Sequence, residues 1–208
     1  EAIGWVDRNI GAFGGDPERL LLIGHSAGAH LASLVSTDPS YIGAYGVEPW
    51  QVLGTVPLDG DAYDVADRIA EVPSDTKPLF FSAFGTEAEN AAEGSWAAAS
   101  PLFVAGPRDP EHLIVTQAAA PNRIVDAEAL AAALGQDPAT SVLRVPYDHE
   151  GINDAVGGPA DTAGETAAII AFFDRVVREG KEPKARIKRD PGKRLRIKRG
   201  RSKARVKF

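Results

Sequence analysis

The chain has 208 residues, 44% of them hydrophobic, enough to bury a sizeable core in one domain. It contains no cysteine, which excludes structural disulfides, thiolate metal sites and a cysteine nucleophile, and no apolar stretch approaches the roughly 18 residues needed to span a bilayer. The net charge of −6 hides two opposed segments: residues 1–180 carry 9 Lys/Arg against 27 Asp/Glu, and residues 181–208 carry 14 against 2.

Ile3, Val6, Ile10 and Phe13 recur at helical spacing, and Gly14-Gly15-Asp16-Pro17 ends the pattern. The short apolar run Leu20 to Ile23 suits a strand covered on both faces, and Ala27 to Val35 has helix-forming composition. A second strand is predicted over Val52 to Leu58, ending at Asp59-Gly60-Asp61, and a short helix over Val65 to Glu71. Leu79 to Phe84 is apolar but ambiguous, and Thr86 to Pro110 reads as a loop of uninformative composition. Leu113 to Thr116 is a strand candidate, followed by an Ala-rich helix from about Ile124 to Leu134 that Gly135 stops. Ser141 to Val145 supplies another strand, "PYDHEGIND" a loop, and Thr162 to Val177 a last amphipathic helix. Alternating short buried strands and helices predict an α/β layer with a mainly parallel sheet.

Gly24-His25-Ser26-Ala27-Gly28 fits G-x-S-x-G, with a strand before it and a helix after it. A nucleophile on so sharp a turn has strained backbone angles, and side chains at Gly24 and Gly28 are expected to collide with neighbouring backbone. The turn would lift the Ser26 hydroxyl above the sheet edge, and the N-terminus of the following helix would offer N–H groups to an oxyanion. The bland alternative is a structural serine in a glycine turn.

The segment "WVDRNIGAFGGDPERLLLIGHSAGAHLASL" resembles the region around the nucleophile in α/β-hydrolase fold serine esterases of the carboxylesterase, hormone-sensitive-lipase-like and feruloyl-esterase-like groups. The resemblance is dense over about thirty residues and looser to about residue 178. It implies a three-layer α/β-hydrolase fold, N-terminally truncated, with Ser26 as nucleophile and the Ala27 amide as one oxyanion donor. It also implies hydrolysis of a small-molecule ester without a metal or organic cofactor.

A serine nucleophile needs a base within hydrogen-bond reach, and the chain has four histidines. His25 lies inside the turn and is expected to point away from Ser26. His30, one helical turn on, suits a buried structural role, and His112 precedes its strand, the wrong end for catalysis in an open parallel sheet. His149, late in the chain and just beyond a strand, is where the base belongs. The acid is harder to assign. The loop after Leu113 to Thr116 reads "QAAAPNRIVDAEAL", with Ala118, Ala119 and Ala120 where the family pattern carries a carboxylate. Asp59, just after its strand, is favoured over Asp126, which falls at or in a helix; Asp61, Asp64 and Asp148 stay open as acids or turn caps.

The chain starts directly in an amphipathic pattern and contains no methionine, so a missing beginning is expected, including the glycine-rich loop that supplies a second oxyanion donor in this fold. One absent donor costs on the order of 100- to 1000-fold in turnover. An uncovered edge on strand Leu20 to Ile23 invites pairing with another chain, which leaves a homo-oligomer open. The basic tail, residues 181–208, repeats Ala185-Arg-Ile-Lys, Leu195-Arg-Ile-Lys and Ala204-Arg-Val-Lys. Covered on one side these would form hairpin strands; alone they are expected to be disordered, with weak polyanion binding as the alternative to a solvated tail. A non-catalytic hydrolase-like binding protein and an amide or formamide hydrolase are the competing functional classes.

Overall fold

A computed structural model of the chain describes residues 1–180. The expectations for the basic tail lie outside the described residues. In chain order the elements are α1 (Ala2–Asn9), a 3₁₀ turn (Ile10–Phe13), β1 (Leu20–His25), α2 (Ala27–Thr37), α3 (Ser40–Gly43), a second 3₁₀ turn (Pro49–Gln51), β2 (Val52–Leu58) and α4 (Val65–Glu71). They continue with α5 (Lys77–Phe84), α6 (Glu87–Glu93), α7 (Ser95–Ala98), α8 (Pro101–Val104), β3 (Glu111–His112), β4 (Ile114–Gln117), α9 (Pro121–Ala133), α10 (Pro138–Ser141), β5 (Val142–Val145), α11 (His149–Ala155) and α12 (Glu165–Glu179).

The strands pair in parallel in the order β1-β2-β4-β5, with β3 also on β2, as a run of short apolar segments alternating with helices requires. Residues 111–117 run beside β2 as one interrupted strand: Leu113 N–H donates to the Thr55 carbonyl and Asp59 N–H to that of Val115. On one face Val56, Leu58, Val115 and Val145 pack against Ile152 of α11 and Ile169, Phe172 and Val176 of α12. On the other, Ile114 packs with Leu130 and Ala131 of α9, and Leu20 with Val52, Ile3 and Val35. The result is three layers. Gly54 is where α12 lies closest to the sheet, since a Cβ there would meet the Phe172 ring at 3.0 Å.

Several boundaries differ from the sequence reading. The segment read as a loop over Thr86 to Pro110 contains α6, α7 and α8, and α6 opens on a capping box in which Thr86 and Glu89 satisfy each other's backbone N–H groups. It closes over its own small core, with Trp96 stacked on Phe81 beside Val65 and Ile69. α9 starts at Pro121, because proline is favoured at a first helical position, and α12 starts at Glu165, where the Asp161 carboxylate accepts the N–H groups of Glu165 and Thr166. Among the described residues, β1 is covered on both faces over Leu20 to Leu22 but not at its end: Ile23 is 47% exposed beside a hollow of about 300 Å³ bordered by His25, Asn153 and Val156.

Candidate active site

The C-terminal ends of β1, β2 and β4 and the start of α11 converge on one point. Ser26 sits between β1 and α2 with φ 57° and ψ −120°, a conformation L-residues rarely adopt. Its N–H donates to the Leu58 carbonyl, and its own carbonyl accepts from Ala29 and His30, so the strained turn is held from both sides. Gly24 makes the turn sterically feasible, since a Cβ there would lie 2.2 Å from the Gly28 carbonyl oxygen. The expectation for Gly28 is corrected: among the described residues a Cβ at that position meets nothing within 4 Å beyond its own helix. The glycine at the strand end is sterically required, and the one in the helix is not.

His149, expected in a loop, is the first residue of α11, a helix capped by the Asp148 carboxylate on the Gly151 N–H. Its Nε2 lies 2.9 Å from Ser26 Oγ and its Nδ1 lies 2.6 Å from Asp59 Oδ2. A carboxylate has no proton to give, so Nδ1 carries the hydrogen and Nε2 accepts from the Ser26 hydroxyl. Asp59 follows β2 with φ 50°, and its carboxylate is wholly buried. Gln117 Nε2 donates to Oδ2 at 2.7 Å, the Gln117 backbone N–H to Oδ1 at 3.3 Å, and Thr116 Oγ1 to Oδ1 at 3.4 Å. Arg123, from the first turn of α9, pairs with Oδ2 at 3.1 Å and donates to the Asp59 carbonyl at 2.8 Å.

The remaining candidates go elsewhere. Asp61 pairs with Arg68 and Arg123, while Asp64 and Asp148 cap α4 and α11. Asp126 lies within α9, where burial and the nearby Glu71 and Asp67 push its carboxyl up to about 6. His30 is buried against the Ala62 carbonyl, and burial lowers its basicity. His112 bonds to the Pro110 carbonyl and Ser36 hydroxyl at the opposite end of the sheet, and burial takes it down to about 4. His25 has a role that sequence reasoning missed. Its Nε2 lies 2.8 Å from the His149 carbonyl and its ring centroid 4.5 Å from that of His149, so it anchors the residue facing Ser26. Gln117 and Arg123 were also missed, although they flank the alanines that leave β4 without a carboxylate. Tyr63 is buried under Gly60, where a Cβ would meet its hydroxyl at 2.7 Å, and burial raises its phenol.

No group of three or more His, Asp or Glu side chains among the described residues is arranged to hold a metal, and no described helix is long and apolar enough to cross a membrane. Solved structures similar to this one include a truncated carbohydrate esterase from gut microbiota (TM-score 0.56, 15% identity, 87% of this chain and 66% of that one). Another is the Thermogutta terrifontis esterase Est2 with butyrate bound (TM-score 0.53, 22% identity, 88% and 65%). Residues 1–45 match the model of the carboxylesterase family. The chain has the α/β-hydrolase fold of these esterases, and its first 45 residues are similar to the carboxylesterase family. Curated relatives match over short stretches: mouse bile salt-activated lipase is 55% identical over 38 residues, 18% of this chain and 6% of that protein. Esterase B1 of Culex pipiens is 60% identical over 42 residues, 18% and 8%, and esterase LipQ of Mycobacterium tuberculosis is 38% identical over 69 residues, 32% and 16%. The matched stretch is thus well under a fifth of each relative's own length.

Proposed function

We propose that this α/β-hydrolase cleaves carboxylic esters of modest size through an acyl-enzyme on Ser26, with His149 as general base and acid, Asp59 as the triad acid and the Ala27 N–H as an oxyanion donor. The observation that carries the reading is the unbroken relay from Ser26 Oγ through the imidazole to a buried carboxylate, with donor–acceptor distances of 2.9 and 2.6 Å. Ser26 Oγ attacks the ester carbonyl carbon as its proton passes to His149 Nε2; the tetrahedral oxygen takes negative charge beside the first N–H groups of α2. Collapse breaks the bond to the alkoxy oxygen, which leaves as the alcohol with the proton from Nε2. Water then gives its proton to Nε2, attacks the acyl carbon and releases the carboxylic acid, and Ser26 recovers its hydrogen. Asp59 holds the tautomer that keeps the Nε2 lone pair on Ser26 and stabilises the transient imidazolium.

The esterases and lipases among the relatives support an ester as the substrate class. The competing reading, a non-catalytic binding module, draws in part on the alanines at positions 118–120. Against that part of it stands the Asp59 carboxylate at the neighbouring strand end, because an acid serves from any position that reaches the imidazole N–H. Hydrolysis of p-nitrophenyl acetate and butyrate tests the reading: release of p-nitrophenol should be lost in Ser26→Ala and in His149→Gln, and release that survives Ser26→Ala overturns it.

A further inference from the structure

Asp59 has more partners than an acid needs to orient an imidazole. Three donors share its Oδ2: the Nδ1–H of His149, the amide of Gln117 and the guanidinium of Arg123. Two of them compete electrostatically. Arg123 is permanently charged, and His149 becomes charged whenever it takes a proton. Each lies about 3 Å from the same oxygen, so the two cannot be more than about 6 Å apart, where like charges act strongly on each other's protonation.

We propose that Arg123 is a positioning residue for the acid: with Gln117 it fixes the Asp59 carboxylate, and by sharing that charge it keeps His149 neutral and able to accept the Ser26 proton. The inference rests on the reading of Ser26 and His149 as nucleophile and base. A buried carboxylate whose only neighbour is a neutral imidazole favours a proton on the ring, because an unpaired buried charge is costly and the imidazolium would pair with it. A protonated ring has no lone pair at Nε2 and takes nothing from Ser26. Arg123 satisfies the carboxylate without that proton. Its Nη1 spans Oδ2 and the Asp59 carbonyl, which also steadies a backbone at φ 50°, while Nη2 is held by Asp61 at 3.3 Å. The arrangement answers the gap in β4: where Ala118 to Ala120 offer no carboxylate, the flanking Gln117 and Arg123 both turn to the acid of the next strand. The other titratable groups facing His149 are His25 from β1, through the backbone bond and ring contact, and Asp148 and Glu150 beside it in the chain. Among the described residues Arg123 is the one permanent cation on the oxygen that His149 uses.

Side-chain ¹⁵N NMR of the histidines across pH tests this without requiring turnover. Arg123→Gln and Arg123→Met, two uncharged replacements of different shape, should each raise the titration midpoint of His149 by about one pH unit, while Arg123→Lys restores most of the difference. The acid limb of the p-nitrophenyl acetate pH–rate profile should move upward by the same amount. A His149 midpoint that is unchanged or lowered in either neutral variant, with His30 and His112 resonances still native, overturns the proposal. Failure of the hydrolase reading looks different: hydrolysis persists in Ser26→Ala while the histidine titrations keep their own outcome.

Discussion

Asp59→Asn separates the acid suggested by the site from those the sequence left open. The substitution keeps the size of the side chain and removes its charge. An asparagine amide offers its oxygen to Arg123 and its NH₂ to His149, which would invert the tautomer, put the hydrogen on Nε2 and leave Ser26 facing a donor. A triad with the wrong tautomer loses on the order of 10⁴-fold in kcat, equivalent to about 5 kcal/mol of transition-state stabilisation. The folded state loses less, about 2–3 kcal/mol, because Arg123 keeps Asp61 when its pairing with Asp59 is weakened. The assay is the pseudo-first-order rate of p-nitrophenyl butyrate hydrolysis at pH 8, with circular dichroism confirming that the variant is folded, alongside Asp126→Asn, which should change the rate by no more than a few-fold. A folded Asp59→Asn chain that retains a tenth or more of the parent rate, while Asp126→Asn loses it, would assign the acid to α9 and refute the reasoning.

Two further expectations concern the scaffold. Gly24→Ala drives a Cβ to 2.2 Å from the Gly28 carbonyl oxygen, a backbone clash that no rotamer relieves, and should cost about 3 kcal/mol or more, whereas Gly28→Ala, with open space, should be neutral or stabilising by up to about 1 kcal/mol; thermal melts of the two variants check this. Glu165 is fully buried with neither carboxylate oxygen bonded among the described residues, and burial, with Asp161 nearby, raises its carboxyl from 4.5 to about 7. A raised carboxyl contributes stability that is complete below the unfolded value and is lost as pH climbs through 7. Glu165→Gln should therefore flatten urea-derived stability between pH 5 and 8, gaining about 2 kcal/mol over the parent at the alkaline end, and parallel pH profiles for the two would contradict that.

Much of this was legible in the sequence, because the strongest signals are steric. The apolar runs at Leu20 and Val52 and the Gly24-to-Gly28 turn announce a parallel strand and a strained serine, and His112 and His149 are told apart by which end of a strand they occupy. Burial is harder to read from a pattern. The segment 86–110 is polar and Ala-rich, and its helices are held by a capping box and a private aromatic core that no periodicity reveals. Ile23 looked like an interior residue because an apolar run carries no record of what lies beside it. Asp59 was the favoured acid on position alone. What holds it there comes from Gln117 and Arg123, 58 and 64 residues away, and a long-range hydrogen bond leaves no local trace. The same applies to His25, whose bond spans 124 residues to the backbone of His149.

The most direct test of the central claim, that Ser26 is an activated nucleophile, is covalent labelling with an alkyl fluorophosphonate followed by intact-mass and peptide analysis. The expected result is one phosphonyl adduct per chain, on the peptide containing Ser26, absent in Ser26→Ala and formed far more slowly in His149→Gln. Labelling of equal extent in Ser26→Ala, or an adduct on any other residue of the parent chain, would contradict it.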